Sequence, residues 1–257
     1  MSAQAHRGTI EIRGLSKSFG AQTVLRDVSL VIPGGGTTVI LGPSGTGKSV
    51  LLKLIVGLLA PDNGAILFEG RDLTRFSRTE LFEARRRFGM LFQDGALFDS
   101  MTVAENVAFP LRRHTNKPDA EIREIVAEKL RRVGLGNAGA KVPAELSGGM
   151  RKRVGLARAI ALDPDVVFFD EPTSGLDPVT ASAIDDLILD IQAQSPRTFL
   201  VISHDLASTE KIADDIGVLV GGKVVEFGRK KNVLGSRNEI VRQFLDRKSA
   251  LSRLPSP

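Results

Sequence analysis

The 257-residue chain has no cysteine, no tryptophan and no tyrosine. Without cysteine there is no disulfide, no thiolate-ligated zinc and no thiol nucleophile. A nucleic-acid surface needs a basic face with aromatic platforms, and the chain has no tryptophan or tyrosine to build one. No nucleic-acid partner is therefore expected from its net charge of +5. That charge fits a nucleotide, an anionic lipid surface or simply a solvated basic exterior. Long hydrophobic runs are missing as well. The longest, VLLKLIVGLLA at 50–60, is broken by Lys53 far short of a bilayer span. At a membrane, another chain would have to supply the crossing. The opening MSAQAHRGTIEIRG lacks the apolar centre of a signal peptide. What remains, 42% hydrophobic and 25% charged residues, is enough for one large domain with a real core.

Hydrophobic periodicity divides that chain into alternating elements. TIEIR at 9–13 alternates as a half-buried strand does, and VSLVI (28–32) and TTVIL (37–41) are further strands separated by PGGG. A helix follows from about Ser49 to Leu59, stopped by PDNG at 61–64. GAILFEG and RRFGMLFQ read as two more strands. From about 100 to 160 the pattern turns helical. Ile122, Ile125, Val126, Leu130 and Val133 share one face of a helix over 118–134, and a second helix runs from Ser147 to Leu162. VVFFD (166–170) and TFLVIS (198–203) flank a helix carrying Ile184, Leu187, Ile188 and Ile191. VLV-GG-KVVEF at 218–227 is a hairpin. An amphipathic helix follows from about Ser236, and SRLPSP frays. The fold class is α/β, with a mostly parallel sheet covered by helices on both faces and a helical insert of about sixty residues.

Between the third strand and its helix stand Gly42, Pro43, Ser44, Gly45, Thr46, Gly47, Lys48 and Ser49. They satisfy G-x-x-x-x-G-K-[ST] in the required strand-to-helix context. Glycines let successive N–H groups turn in around phosphate oxygens, and the helix start adds its positive dipole end. Lys48 would reach the outer phosphates, and the Ser49 hydroxyl would ligate Mg²⁺. A glycine-rich turn without ligand is the bland reading, made improbable by the flanking strand and helix.

VVFFDE at 166–171 is an apolar strand ending in two carboxylates, at the edge where open α/β sheets bind ligands. Asp170 would hold the magnesium, and Glu171 would orient or deprotonate the attacking water. His204 follows the next strand and would hydrogen-bond the γ-phosphate. His6 and His114 take a structural reading. LSGGM at 146–150 opens a helix with Ser147 as N-cap and Gly148 and Gly149 exposing its first N–H groups, which makes a second anion-seeking end. Arg151, Lys152 and Arg153 would thicken the positive field there.

Taken in order, these motifs resemble the nucleotide-binding domain of ABC ATPases, a P-loop NTPase fold with an antiparallel β subdomain and a helical subdomain. GPSGTGKS is similar to the Walker A loop, VVFFDE to Walker B, LSGGM to the signature, Gln93 to the Q-loop glutamine, SGLD (174–177) to the D-loop and His204 to the switch histidine. The resemblance spans roughly 9–235, with a helical subdomain at about 100–160 and an extension at 236–257. It implies two ATP molecules, each with Mg²⁺, sandwiched in a head-to-tail homodimer. Lys48, Ser49, Gln93, Asp170, Glu171 and His204 would serve their own chain's nucleotide, with Gln93 also near the metal. Ser147, Gly148 and Gly149 would cap the partner's, and Asp177 would sit at the junction. Phe19 stands where the family stacks a tyrosine on adenine. Met150 replaces the usual signature glutamine, and Val50 replaces a hydroxyl residue beside the α-phosphate.

GMLFQDGALFDSMTVAENVAFPLR and LSGGMRKRVGLARAIALDPD are similar to the ATPases of bacterial Mce-type lipid transporters. That implies a cytoplasmic-face location at the bacterial inner membrane, a permease dimer, an Mce-domain protein and, in some relatives, a small sulfate-transporter/anti-sigma-type domain. Phe98, Met101, Val103, Val107 and Phe109 would contribute an apolar groove for a permease helix, with internal packing as the alternative. Ile240, Phe244 and Leu245 would pack the extension on the partner chain. An ABC ATPase for another cargo, or one without a permease, stays open at this point. A P-loop kinase does not accord with LSGGM and SGLD.

Overall fold

The computed structural model describes residues 7–251, with side chains described as far as Asp246. The readings made for His6 and for the final SRLPSP lie outside the described residues. The chain resolves into two compact units. One takes the chain up to Leu81 and again from Thr198; the other is Phe82–Arg197.

In the first unit, β1 (Ile10–Phe19) pairs antiparallel with both β2 (Gln22–Ile32) and β4 (Asn63–Phe68), and β5 (Arg71–Asp72) adds to β4. β1 is longer than the alternation at 9–13 predicts. Gly14 takes a φ of 59° and the pairing slips between Ile12 and Leu15, so the period of two is lost although the strand continues. The second sheet of this unit centres on β3 (Thr37–Leu41), which runs parallel to β8 (Thr198–Ser203) on one side and to β9 (Asp215–Val220) on the other. Every residue of β3 and β8 is buried, as expected for strands covered on both faces. β9 turns into β10 (Lys223–Arg229) through Gly221 and Gly222, both at positive φ. The helices of this unit are α1 (Lys48–Ile55), α7 (Leu206–Ile212), α8 (Lys230–Leu234) and α9 (Glu239–Leu251). Val241 of α9 is fully buried, Phe244 and Leu245 are half-buried, and Ile240 is exposed. The tail helix thus anchors on its own chain through Val241, a residue outside the expected face.

Helix α2 (Arg78–Arg85) has no counterpart in the sequence reading. Among its residues only Ala84 is buried, which leaves no apolar stripe to detect.

In the second unit, β6 (Phe88–Leu91) lies parallel to β7 (Val166–Asp170). Around them stand α3 (Val103–His114), α4 (Asp119–Arg132), α5 (Gly148–Ala159) and α6 (Pro178–Gln194). α3 begins with a capping box in which Thr102 and Glu105 satisfy each other's backbone N–H groups. Val103 and Val107 have no exposed surface. They fill the core beneath α3, so the groove expected from the sequence does not include them.

Candidate active site

The first unit carries the glycine loop. β3 delivers the chain into Gly42, where an added Cβ would lie 2.2 Å from the Leu219 carbonyl oxygen. Gly45 turns at φ 78° with open space around it, and Gly47 caps α1 at φ 98° with Val24 and Leu25 pressed against its missing side chain. A larger residue at Gly42 or Gly47 would displace β2 or β9. Lys48, nearly buried, donates from Nζ to the Gly42 and Pro43 carbonyls, both at 2.9 Å. Thr46 Oγ1 closes the turn on Pro43 O at 2.9 Å. No acidic residue occupies the first turn of α1, which leaves the positive end of its dipole uncompensated within the helix itself. A cradle closed to side chains, with an ammonium at its wall and a helix N-terminus at its base, fits a polyphosphate.

His204 stands just after β8, and Phe19 at the end of β1 is 47% exposed, with the Lys17 ammonium 5.5 Å from its ring. That ring face is accessible for stacking.

The second unit carries the carboxylates. Asp170 closes β7 and is 7% exposed, while Glu171 is half-buried with its backbone at φ 52°. A left-handed non-glycine residue is held there against about 1 kcal/mol of strain. Lys152 of α5 reaches this turn from below. It is 4% exposed and donates to the Glu171 carbonyl at 3.2 Å and the Ser174 carbonyl at 2.6 Å. Burial pushes its pKa down, and the carboxylates of Asp94 and Glu171 pull it back up. The neighbouring guanidinium groups are also turned onto carbonyls, Arg151 onto Leu146 O and Arg153 onto Val133 O. All three cations are tied to carbonyl oxygens, which orients them and leaves their charge in place near the start of α5.

Ser147 does cap α5, accepting from Met150 N at 3.3 Å, and Gly149 is required because a Cβ would meet Thr180 Cγ2 at 2.5 Å. Asp177 caps α6, accepting from Val179 N and Thr180 N at 3.1 and 3.0 Å. Its bond to Thr180 holds its carboxyl below the usual range. Gln93 is exposed after β6. Behind it Gly95 and Ala96 both take positive φ and are clasped by Arg158, whose Nη2 and Nη1 donate to their carbonyls at 2.7 and 2.8 Å. Sequence reasoning missed Arg158 and Lys152. Only their place within a basic, helical signature segment marked them.

Beside this loop lies a groove of about 270 Å³ lined by Phe88, Met90, Phe92, Phe98, Phe109, Pro110 and Leu162, with Arg158 at its edge. Phe98 and Phe109 are 41% and 38% exposed with ring centroids 4.7 Å apart.

No cluster of three His, Asp or Glu side chains disposed for a metal occurs among the described residues.

Comparison with known proteins accords with this geometry. Residues 25–174 match the family model described as ABC transporter. A probable ribonucleotide transport ATP-binding protein, mkl, of Mycobacterium leprae is 52% identical over 92% of this chain, which spans about two thirds (68%) of that relative. The intermembrane phospholipid transport system ATP-binding proteins MlaF of Haemophilus influenzae and Escherichia coli K12 are 45% and 43% identical. Those matches cover 93% and 95% of this chain and 91% and 90% of theirs. Among solved structures, cbiO1 of Clostridium perfringens, part of the transporter complex cbiONQ, superposes with a TM-score of 0.82 at 30% identity, over 97% of this chain and all of that one. The dimeric post-hydrolysis cassette MJ0796, bound to ADP and phosphate, gives 0.79 at 29%, over 86% and 98%. The chain belongs to the ABC transporter family and is an ABC ATPase of the P-loop α/β fold.

Proposed function

We propose that this chain is the ATPase subunit of a transporter that moves phospholipid across a bacterial cell envelope. The observation that carries the reading is the match to the phospholipid-system proteins over nine-tenths of both partners' lengths. The mycobacterial relatives, named for ribonucleotide transport, extend well beyond the part this chain matches, and ribonucleotide is therefore the second reading. No helix among the described residues is long and apolar enough to cross a membrane. The groove between Phe98, Phe109 and Phe92 is where a permease helix would seat, at the cytoplasmic face of the inner membrane. A permease dimer, an Mce-domain protein and a small sulfate-transporter/anti-sigma-type domain would complete the assembly.

Two copies would bind head to tail; the cassette MJ0796 of known structure is likewise dimeric. Val179, 80% exposed beside Asp177, offers an apolar contact at that junction. Lys48 and the loop N–H groups grip the β- and γ-phosphates of ATP, Phe19 stacks on the base and Val50 lies beside the α-phosphate. Ser147, Gly148 and Gly149 of the partner cap the γ-phosphate. Mg²⁺, held by Ser49 and Asp170 with Gln93 nearby, would offset phosphate charge. Glu171 aligns the water and takes its proton, and His204 donates to the γ-phosphate.

Two measurements test this. Purified with its membrane partner in detergent, the complex should carry phospholipid in excess over a membrane-protein control. Ribonucleotide without such lipid excludes the lipid reading. Glu171→Gln should retain ATP and accumulate dimer while turnover falls about 100-fold or more; turnover like that of the parent chain removes Glu171 from its role.

A further inference from the structure

Lys152 spends a buried charge where a neutral donor would satisfy the same carbonyls. Its ammonium, at the second turn of α5, donates to the Glu171 and Ser174 carbonyls. Those two carbonyls bracket the turn that starts at the left-handed Glu171, where Ser174 N also returns to Glu171 O at 3.2 Å. The same end of α5 carries the Ser147 cap, and the helix flank is packed on the Gln93 loop. A Cβ on Gly95 would lie 2.9 Å from Arg151 O, and one on Gly155 would lie 3.1 Å from Gly95 O. One helix therefore braces the loop before the groove, presents the serine tip and holds the backbone that aims Glu171.

We propose that Lys152 is a positioning residue for ATP hydrolysis. It fixes the strained Glu171 backbone so that the carboxylate meets the attacking water, and it transmits displacement of the Ser147 tip to that carboxylate. The inference rests on the assignment of Glu171 as the water-aligning group. No new bond is made or broken by Lys152, which acts through the carbonyls it holds.

The test uses the full chain with Mg-ATP. Lys152→Met, which keeps length and loses the donor, should lower kcat about 10- to 100-fold with KM for ATP unchanged. Lys152→Arg should recover most of kcat. In a Glu171→Gln background, Lys152→Met should add no further loss to residual single-turnover hydrolysis, because the group it positions is already gone. Intact kcat with only a lowered unfolding temperature overturns the proposal, as do losses that multiply in the double variant. If Lys152→Met does not fold, Lys152→Leu, which also lacks a donor, is read on the same scale. Glu171→Gln with parental turnover would defeat the Glu171 assignment itself, whatever the Lys152 variants do.

Discussion

At the scale of single residues, the site is governed by what cannot be substituted. The Lys48 ammonium ties the Gly42 and Pro43 carbonyls, and in the proposed function it also supplies the charge for phosphate. Lys48→Met should weaken ATP binding about 10- to 100-fold, the worth of one charge-assisted hydrogen bond. Titration with a fluorescent ATP analogue measures it, and unchanged affinity would exclude Lys48 from the phosphate contact. The glycine loop, the Asp170–Glu171 pair and the Ser147 cap were legible because each is a local pattern with a local cause. Lys152 was not. Nothing in MRKRV distinguishes a buried ammonium from the two half-buried guanidinium groups beside it, because the difference is made by a turn nineteen to twenty-two residues further along the chain.

At the scale of elements, α4 begins just after Pro118 and Ser147 caps α5, both where the spacing places them. α3 has a capping box of its own and, behind it, a fully buried asparagine. Asn106 Nδ2 donates to Phe98 O, Met101 O and Thr102 O, while Oδ1 accepts from Phe98 N. This side chain shapes the loop that presents Phe98 to the groove. Asn106→Leu leaves those groups without partners and should cost about 2–3 kcal/mol, read as a fall in Tm. It should also reduce co-purification of the permease. Retained stability would show that water replaces the amide. β10 was legible as half a hairpin through its two glycines, whereas β1 beyond Arg13 was hidden by its slipped register.

At the scale of the whole molecule, the glycine loop and His204 belong to one unit, and Asp170, Glu171 and Ser147 to the other. The proposed function shares each site between two copies. A site shared between two copies makes a mixing prediction. Lys48→Ala and Ser147→Arg chains are each expected to be inactive alone. In an equal mixture, half the dimers combine them, and each such dimer holds one intact site. Activity should return to about one quarter of the parental level. No recovery despite proven mixed dimers would mean that each chain uses its own serine tip.

The placement of β3 between β8 and β9 also sets a timetable for synthesis. Its two hydrogen-bonding neighbours lie far downstream, with Thr37 paired to Phe199 and Thr38 to Asp215. At a ribosomal rate of about 5–20 residues per second, the glycine loop waits on the order of 10–40 s before the strands that clamp it emerge. A newborn chain is thus exposed to chaperones and proteases for most of its translation, and premature termination anywhere before Val220 yields a fragment with an unsupported central strand.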